Sequence, residues 1–415
     1  MTNNLADHPF PADTELPSSA DFLKAQNDLQ GIVENTNLIY SRFFSREYHN
    51  QVYIKPENLQ ITGAFKIRGA YYKLNKLTAE EKQKGLIASS AGNHAQGVAY
   101  AAQKLGIKAT IVMPKTTPLI KVEATKKYGA SVMLYGDCYD DASEKAVSLE
   151  KEQGYTFIHP FNDLDVITGQ GTIAMEILQQ LNDIDYIIAP IGGGGLISGI
   201  ALAAKMLKPG IKIVGVEPEG AKSMQASLEL NKIINLEKVT TIAEGVAVKR
   251  PGDLTFSIIK DYVDDIITVS DFEVMEAFLL LLEKEKLIGE NAGVLSLAAL
   301  KKMKAAHKNI ACVVSGGNID VLTISSLISR GLVSRGRIFC FSVELPDIPG
   351  QLLNISEILA RMNANVIKLD HNQFKTLDRF MQVQLEVTVE TNGHKHVGEI
   401  IAELNKGGYK VVKVV

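Results

Sequence analysis

The sequence YIIAPIGGGGLISGIALAAKML at residues 186–207 contains, in order, an apolar run, four consecutive glycines and a stretch rich in alanine and leucine. The run from Tyr186 to Ala204 carries no charge and is long enough to resemble a membrane span. Pro190 and the glycines would make it a poor continuous helix. We therefore predict a strand, a tight loop and a helix.

Two other segments follow the same order of apolar run, small-residue loop and helix-like stretch. They are LIASSAGNHAQGVAYAAQKLG at residues 86–106 and IACVVSGGNIDVLTISSLISRG at residues 310–331. Further apolar runs, ATIVMP, ASVMLYG and IKIVGVEP, alternate with helix-like stretches, which is typical of βα units in parallel sheets. The main part of the chain is thus predicted to be α/β, and its three loops are expected to meet where the strands end.

The pattern changes after residue 333, where we place a domain boundary. In MQVQLEVTVE, residues 381–390, apolar and polar residues alternate, which predicts a half-buried strand with one face formed by Met381, Val383, Leu385, Val387 and Val389. The runs FCFSVELPDIPG, NVIKLDH and YKVVKVV add three strands, and two helix-like stretches lie between them. The order βαββαβ predicts a ferredoxin-like α+β domain over residues 334–415, after a larger region over residues 1–333.

The composition argues against several classes of protein. With 44 basic and 47 acidic residues among 415, the chain lacks the basic excess of a nucleic-acid or membrane-surface binder. Its three cysteines form no CxxC pair, so neither a disulfide framework nor a zinc site is predicted, and no other metal constellation is visible. The N-terminus, MTNNLADHPFPADTEL, lacks the features of a signal peptide. A soluble, cytoplasmic protein is expected.

The glycines from Gly192 to Gly195 could be a flexible linker. Between a strand and a helix, however, glycines can present several N–H groups to an anion at the positive end of the helix. A dinucleotide fold is an alternative, because Glu217 lies roughly where a ribose-binding acid would lie. The spacing GxGxxG fails from Gly192 and from Gly193, so a phosphate cradle is the preferred interpretation.

Three other positions each have an ordinary interpretation. Lys66, in ITGAFKIRGAYYKL, could be a surface lysine whose stem lies on apolar neighbours. SSAGNHAQG could be helix capping by a serine or by Asn93, and Ser315 could be a turn residue; His94 and His159 are interpreted as structural. Considered together, a lysine, a phosphate cradle, an amide and a hydroxyl fit pyridoxal phosphate, whose aldehyde forms an imine with an amine of lowered pKa.

These motifs resemble the pyridoxal-phosphate enzymes of fold type II, and specifically the threonine dehydratases (threonine ammonia-lyases). ITGAFKIRGA, ASSAGNHAQGVAYAA, APIGGGGLISG and VVSGGN are similar to that family's four cofactor motifs and occur in the same order. The resemblance covers most of residues 20–330. It implies a tryptophan synthase β-like catalytic region of two subdomains with open, mostly parallel sheets, the smaller one inserted at roughly residues 55–155. It also implies a homo-oligomer, either a dimer or a tetramer.

The resemblance implies a set of site residues as well. Lys66 would be the Schiff-base lysine, with Phe65 beside it. Asn93 would lie at the ring hydroxyl, Ser315 at the pyridine nitrogen and Glu290 near the ring. The residues implied around the phosphate are Gly192, Gly193, Gly194, Gly195 and Leu196, and those implied around the substrate are Ser89, Ser90, Ala91, Gly92 and Asn93.

The activity implied is α,β-elimination of L-threonine to 2-oxobutanoate and ammonia, the first committed step of isoleucine biosynthesis, with L-serine as a secondary substrate. The C-terminal unit resembles an ACT-like regulatory domain, which implies isoleucine as an inhibitor opposed by valine. Serine racemases carry a second base at the position of Ala91, so racemisation is disfavoured. Their divalent site would use Glu217 and an aspartate, but Ser223 replaces the aspartate.

Several alternatives remain open at this point. An L-serine dehydratase or a catabolic threonine dehydratase would use the same motifs. A nicotinamide-dependent oxidoreductase would use the glycine loop for pyrophosphate, and a non-catalytic amino-acid sensor would need only the C-terminal unit. A bound yellow chromophore bleached by borohydride would separate these classes from a pyridoxal-phosphate enzyme.

Overall fold

A computed structural model describes residues 15–372 and 382–414 of the chain. The chain divides into two compact units, the first ending at Ile319 and the second beginning at Asp320. Helix α14 (Val321–Ser334) therefore falls in the second unit, and the predicted boundary after residue 333 stays a prediction. Met381 of the alternating strand and the first 14 residues, where a signal peptide was considered, lie outside the described residues.

The first unit contains a sheet of six strands in the order β1-β2-β10-β7-β8-β9. All neighbouring strands run parallel except the antiparallel pair β1 and β2. The central strands β7 and β10 are nearly continuous apolar runs because helices cover the sheet, and the parallel pairing confirms the predicted α/β class. The strands are β1 (Ile39–Tyr40), β2 (Gln51–Pro56), β7 (Tyr186–Pro190), β8 (Lys212–Pro218), β9 (Asp265–Val269) and β10 (Asn309–Val314).

A second, fully parallel sheet of the first unit has the order β5-β4-β3-β6. It is built from β3 (Leu86–Ser89), β4 (Ala109–Met113), β5 (Ser131–Leu134) and β6 (Thr156–Phe157). The helices of the first unit are α1 (Ser19–Asp28), α2 (Arg42–Glu47), α3 (Lys66–Lys76), α4 (Ala79–Lys84), α5 (Asn93–Leu105), α6 (Leu119–Lys126), α7 (Tyr139–Gln153), α8 (Leu164–Gln180), α9 (Gly195–Leu207), α10 (Ser223–Glu229), α11 (Asp253–Tyr262), α12 (Asp271–Leu280) and α13 (Leu295–Ala298).

Glycines allow α8 to approach both α3 and α9 at backbone distance. A Cβ atom added to Gly169 of α8 would lie 2.6 Å from the carbonyl oxygen of Arg68 on α3. A Cβ added to Gly199 of α9 would lie 2.2 Å from the carbonyl oxygen of Ile167 on α8. Real side chains cannot occupy such distances, so these glycines fix the separation of the three helices. Lys66 begins α3, and the four-glycine loop leads into α9. Because α8 packs against both helices, it sets the distance between Lys66 and this loop.

The second unit is a four-stranded antiparallel sheet in the order β12-β13-β11-β14, with helices α15 and α16. The described apolar residues of β13 are buried as predicted, from Val383 to Val389 in alternation. This order of elements confirms the predicted ferredoxin-like arrangement. The elements after α14 are β11 (Ile338–Pro346), α15 (Gln351–Arg361), β12 (Asn365–Asn372), β13 (Gln382–Glu390), α16 (His394–Lys406) and β14 (Val411–Lys413).

Within the two described ranges of the chain, every helix is too short or too polar to cross a membrane.

Candidate active site

Lys66 occupies the first position of α3 and is partly buried. Its Nζ atom donates a hydrogen bond of 2.7 Å to the carbonyl oxygen of Pro160 and lies 5.2 Å from the centre of the Phe65 ring. Burial lowers the pKa of this amine to about 8, although the negative charge of Glu290 opposes the shift. A lysine with this pKa is neutral in a useful fraction near pH 7, as a nucleophilic amine must be.

Gly97 of helix α5 packs directly against the backbone of Lys66. A Cβ added to Gly97 would lie 3.1 Å from the carbonyl carbon of Lys66, closer than most real contacts. Phe65, just before the helix, donates its N–H to the carbonyl oxygen of Ser315 at 3.1 Å. The lysine is thus held between α5 and the loop that follows β10.

Asn93 and Glu290 form the polar side of the same region. The Nδ2 atom of Asn93 donates to Oε1 of Glu290 at 2.6 Å, and Nδ2 of Asn318 donates to Oδ1 of Asn93 at 2.9 Å. Burial raises the pKa of Glu290 to about 7, against the lowering effect of the Asn93 hydrogen bond. A Cβ added to Gly316 would lie 2.5 Å from Oε1 of Glu290, so the loop after β10 closely approaches this pair.

The turn from Ser89 to Gly92 joins β3 to α5. Ser89 is fully buried and its hydroxyl has no partner among the described residues, whereas Ser90 Oγ accepts the N–H of Gly92 at 3.2 Å. Gly92 is the residue that precedes α5, and no side chain caps that helix. The alternative of ordinary helix capping by Ser89, Ser90 or Asn93 is therefore wrong. Within the described part of the chain, the N–H groups of the first turn of α5 have no side-chain acceptor.

The four-glycine loop between β7 and α9 is packed closely on one side. A Cβ added to Gly193 would lie 2.3 Å from the ring of Phe161, and one added to Gly195 would lie 2.8 Å from Cα of Phe161. Gly194 has φ +97°, which L side chains rarely adopt. Among the residues that the structure describes, no side chain caps α9, so its positive N-terminal end is open to an anion. Gly192, Gly193, Gly194, Gly195 and Leu196 thus form a cradle that suits a phosphate.

Sequence reasoning missed the segment His159–Phe161, which connects Lys66 to this cradle. Pro160 accepts the hydrogen bond of Lys66, while Phe161 packs against Gly193. His159 Nδ1 accepts the N–H groups of Phe161 and Asn162, and burial lowers the pKa of His159 to about 4. The contact with Lys66 uses a backbone carbonyl oxygen, and the Phe161 ring meets a glycine far away in the sequence. A single sequence carries no signal for either contact. Asn318 was also missed, although it ends the motif VVSGGN.

The remaining predicted positions have structural partners. His94 is buried with Nε2 2.8 Å from the carbonyl oxygen of Ile158, and burial lowers its pKa to about 3. Glu217 is buried and accepts the N–H groups of Met224 and Gln225 at 2.9 and 2.8 Å, and burial raises its pKa to about 7. Among the described residues, no cluster of three His, Cys, Asp or Glu side chains could hold a metal ion.

Arg68, two residues after Lys66, anchors α3 through a buried ion cluster. Its guanidinium pairs with both oxygens of Glu57, at 2.8 Å each, and with both oxygens of Glu176, at 2.6 and 2.9 Å. Lys55 Nζ lies 2.5 Å from Glu176 and also donates to the carbonyl oxygen of Thr36. Two positive and two negative charges are therefore paired in the interior of the first unit.

The residues present fit pyridoxal phosphate. The cofactor carries a phosphate, which matches a cradle of glycines that side chains would fill. It carries an aldehyde, which matches an amine whose pKa is lowered to about 8. Lys66, Asn93, Glu290 and the loop after β10, which contains Ser315, lie together in one region of the first unit.

Comparisons with known proteins agree with this chemistry. The family model described as pyridoxal-phosphate dependent enzyme matches residues 29–316. The L-threonine ammonia-lyase of Thermotoga maritima is 45% identical over 94% of this chain and 98% of its own length. The biosynthetic L-threonine dehydratase IlvA of Haemophilus influenzae is 40% identical over 95% of this chain and 77% of its own length. The catabolic L-threonine dehydratase TdcB of Escherichia coli is 42% identical over 74% of this chain and 94% of its own length.

Proposed function

The chain belongs to the pyridoxal-phosphate dependent enzymes and, within them, to the threonine ammonia-lyases, and from this premise we propose that it converts L-threonine to 2-oxobutanoate and ammonia. The observation that carries the proposal is the partly buried Lys66 amine, with a pKa lowered to about 8, beside a polar pair and a glycine cradle. L-Serine is proposed as a secondary substrate, which would yield pyruvate.

Each group of the site has a proposed task. When bound, pyridoxal phosphate supplies an aldehyde that bonds to amines and a ring that withdraws electrons from the α-carbon. The N–H groups of the loop Gly192–Leu196 would hold its phosphate, and the amide of Asn93 and the hydroxyl of Ser315 would orient its ring. The uncapped first turn of α5, after Ser89–Gly92, would bind the substrate carboxylate.

Lys66 is proposed to carry the cofactor and to move the α-proton. Its Nζ atom, when neutral, can accept the proton from the α-carbon of threonine. The β-hydroxyl then leaves as water, and the released enamine takes up water to give 2-oxobutanoate and ammonia. Pro160 offers a carbonyl oxygen that holds the amine at 2.7 Å between these events. Glu290 helps to set the proton affinity of Lys66, because its negative charge stabilises the ammonium form.

The replacement of Lys66 by alanine tests the proposal directly. Lys66→Ala removes both the carrier amine and the base, so ammonia release from L-threonine should fall below about a thousandth of the normal rate. Lys76→Ala, on the exposed end of the same helix, is the matched control and should keep activity. Retention of more than that fraction by Lys66→Ala would contradict the assignment. A yellow chromophore bleached by borohydride would exclude an oxidoreductase or a sensor.

The biosynthetic assignment is a further proposal. The match to the catabolic enzyme covers 94% of that protein but only 74% of this chain, whereas the match to the biosynthetic enzyme covers 95% of this chain. The second unit is thus the part of the chain that favours biosynthesis of isoleucine over a catabolic role. A catabolic threonine dehydratase or an L-serine dehydratase remains the alternative.

We further propose that the second unit, the ACT-like domain predicted over residues 334–415, binds isoleucine, which lowers threonine affinity, with valine opposing it. A cavity of about 280 Å³ supports this, since it lies where β11 turns into α15 and offers the apolar side chains of Ile348, Leu352 and Val383. The other lining residues are Pro346, Asp347, Pro349, Gly350, Gln351 and His371. By linkage, threonine should weaken isoleucine binding by the same factor, on the order of 5- to 150-fold.

Two neighbouring leucines provide a matched test of this regulation. Leu352→Asp places a charge in the cavity and should abolish isoleucine binding in calorimetry of the full-length protein. Leu353→Asp should leave isoleucine binding unchanged, because the Leu353 side chain is 61% exposed and does not line the cavity. If the unaltered protein binds no isoleucine, or if both variants respond alike, the regulatory proposal fails.

The oligomeric state and location are proposals as well. We propose a cytoplasmic homo-oligomer, a dimer or a tetramer. Residues Asn365 to Leu369 of β12, which is an edge strand among the described residues, are all exposed. A strand edge without a neighbour tends to acquire a partner. Light scattering of the purified protein should give a mass of two or four chains, and a monomer would contradict the proposal.

A further inference from the structure

Thr255 contacts Gly193 and Gly194 of the four-glycine loop, and no role has yet been given to it in the site described above. It belongs to the first turn of α11 and is fully buried. Its Oγ1 atom donates to the carbonyl oxygen of Gly193 at 2.6 Å, while a second acceptor, the carbonyl oxygen of Gly252, is 3.1 Å away. A hydroxyl has one proton, so the shorter bond to Gly193 is favoured.

This hydrogen bond determines the orientation of one peptide group. The described chain has no cis peptide bonds, so the N–H of Gly194 points opposite to the carbonyl of Gly193 in the same planar unit. With that carbonyl held towards Thr255, the Gly194 N–H must face the other side of the loop. No hydrogen bond within the described residues uses the N–H groups of Gly193 or Gly194. They therefore remain available to an external acceptor.

The loop cannot hold this orientation by its own conformational preferences. Glycine adopts positive and negative φ almost equally well, so a peptide between two glycines can rotate at little cost. Gly194 has φ +97°, and a Cβ on it would lie 2.7 Å from Cβ of Thr255, so Thr255 also packs against the loop. The only other donor to the Gly193 carbonyl within the described residues is the N–H of Gly252, at 3.4 Å.

We propose that Thr255 is a positioning residue of the phosphate cradle, which holds the Gly193–Gly194 peptide so that the Gly194 N–H faces the phosphate of the cofactor. The inference rests on the proposed function, because it takes the loop Gly192–Leu196 as the phosphate site. Thr255 acts through the backbone and does not itself touch the phosphate. Its hydroxyl is therefore the feature to alter.

Three substitutions separate positioning from simple stability. Thr255→Val keeps the shape and removes the hydroxyl, whereas Thr255→Ser keeps the hydroxyl. Ser257→Ala is the matched control, since Ser257 is a buried residue of the same helix whose hydroxyl donates to the carbonyl oxygen of Asp253 at 3.3 Å, within its own helix and away from the glycine loop. If Thr255→Val does not fold, Thr255→Ala removes the same hydroxyl and takes its place in the comparison.

The measurements are equilibrium dialysis of pyridoxal phosphate and the ³¹P NMR signal of the bound phosphate. Thr255→Val should lose about 10-fold in affinity, the scale of one hydrogen bond to a charged group, and its ³¹P signal should shift. Thr255→Ser and Ser257→Ala should behave like the unaltered protein. Normal affinity and an unchanged signal in Thr255→Val, or no rescue by serine, or an equal loss in Ser257→Ala, would overturn the inference.

A fourth variant distinguishes this inference from the assignment of the loop itself. Gly194→Asp introduces bulk and negative charge at the cradle and should weaken pyridoxal phosphate binding whatever the role of Thr255. If Gly194→Asp binds normally, the loop is not the phosphate site, and both the site assignment and the inference fail. If it binds poorly while Thr255→Val is normal, only the inference about Thr255 fails.

Discussion

Replacing Arg68 with leucine should strongly lower the stability of the first unit. It should also reverse part of the pH dependence of that stability. Arg68 is fully buried, and its guanidinium makes two bonds to Glu57 and two to Glu176. Glu57 follows β2 and Glu176 lies on α8, so Arg68 also joins α3 to these two distant parts of the sequence. Leucine would remove every one of these bonds.

The size of the effect follows from the charges left behind. In the unaltered protein Arg68 and Lys55 balance Glu57 and Glu176, whereas the variant retains one lysine against two carboxylates. An unpaired buried charge typically costs 3–5 kcal/mol, so the free energy of unfolding should fall by about that amount. Arg250→Leu is the control, because the Arg250–Asp253 pair is exposed and should contribute at most about 1 kcal/mol.

The pH dependence supplies a second, independent readout. Burial alone would raise the pKa of Glu57, but the charge and hydrogen bonds of Arg68 hold it below its ordinary 4.5. In the unaltered protein, the ionised Glu57 paired with Arg68 therefore stabilises the fold above pH 4.5, and this stabilisation is lost as the pH falls. Without Arg68, burial should raise the pKa of Glu57 above 4.5, so stability should instead be lost as the pH rises from 4.5.

The assay is urea unfolding of the unaltered protein and of Arg68→Leu, both full-length and with bound pyridoxal phosphate, at pH 5 and pH 7. The difference in unfolding free energy between these two proteins should be larger at pH 7 than at pH 5. A loss of less than 1 kcal/mol, or a difference that shrinks with rising pH, would refute the account of a buried, charge-balanced cluster. If Arg250→Leu lost as much unfolding free energy as Arg68→Leu, the effect could not be attributed to the burial of the Arg68 cluster.

Three further predictions concern the site. Since the Lys66 pKa is about 8, attachment of pyridoxal phosphate to the cofactor-free protein should become about tenfold faster from pH 6 to pH 7 and level off above pH 8, and a flat stopped-flow profile would contradict this. Glu290→Gln removes the charge that raises the pKa of Lys66, so the plateau should begin at lower pH; a shift to higher pH would be inconsistent. Ala91→Ser should permit some inversion of L-serine while elimination dominates, and chiral chromatography without D-serine would show that one added hydroxyl does not suffice.

Features carried by local pattern could be predicted from the sequence. The run at residues 186–207 is strand, loop and helix, because proline and glycine interrupt it at the point where β7 ends. The ferredoxin-like unit followed from period-two alternation, and Val383 to Val389 are buried accordingly. Lys66 and Asn93 were proposed from motifs, and the structure places each at the start of a helix in the first unit.

Features that depend on distant partners could not be predicted in this way. The pairing of Arg68 with Glu176 joins positions 108 residues apart, and spacing in one sequence gives no sign of it. Pro160 contributes a carbonyl oxygen, which every residue has. The capping interpretation failed because Ser89 is the buried last residue of β3, and the turn through Gly92 separates it from the helix.

The attachment site of the cofactor decides whether Lys66 is the carrier lysine proposed here. The protein with bound pyridoxal phosphate is reduced with borohydride, digested with a protease and analysed by mass spectrometry. We expect the phosphopyridoxyl group on Lys66, in the peptide that contains ITGAFK. Its attachment to a different lysine, such as the buried Lys55, or its absence from every peptide, would show that Lys66 does not carry the cofactor.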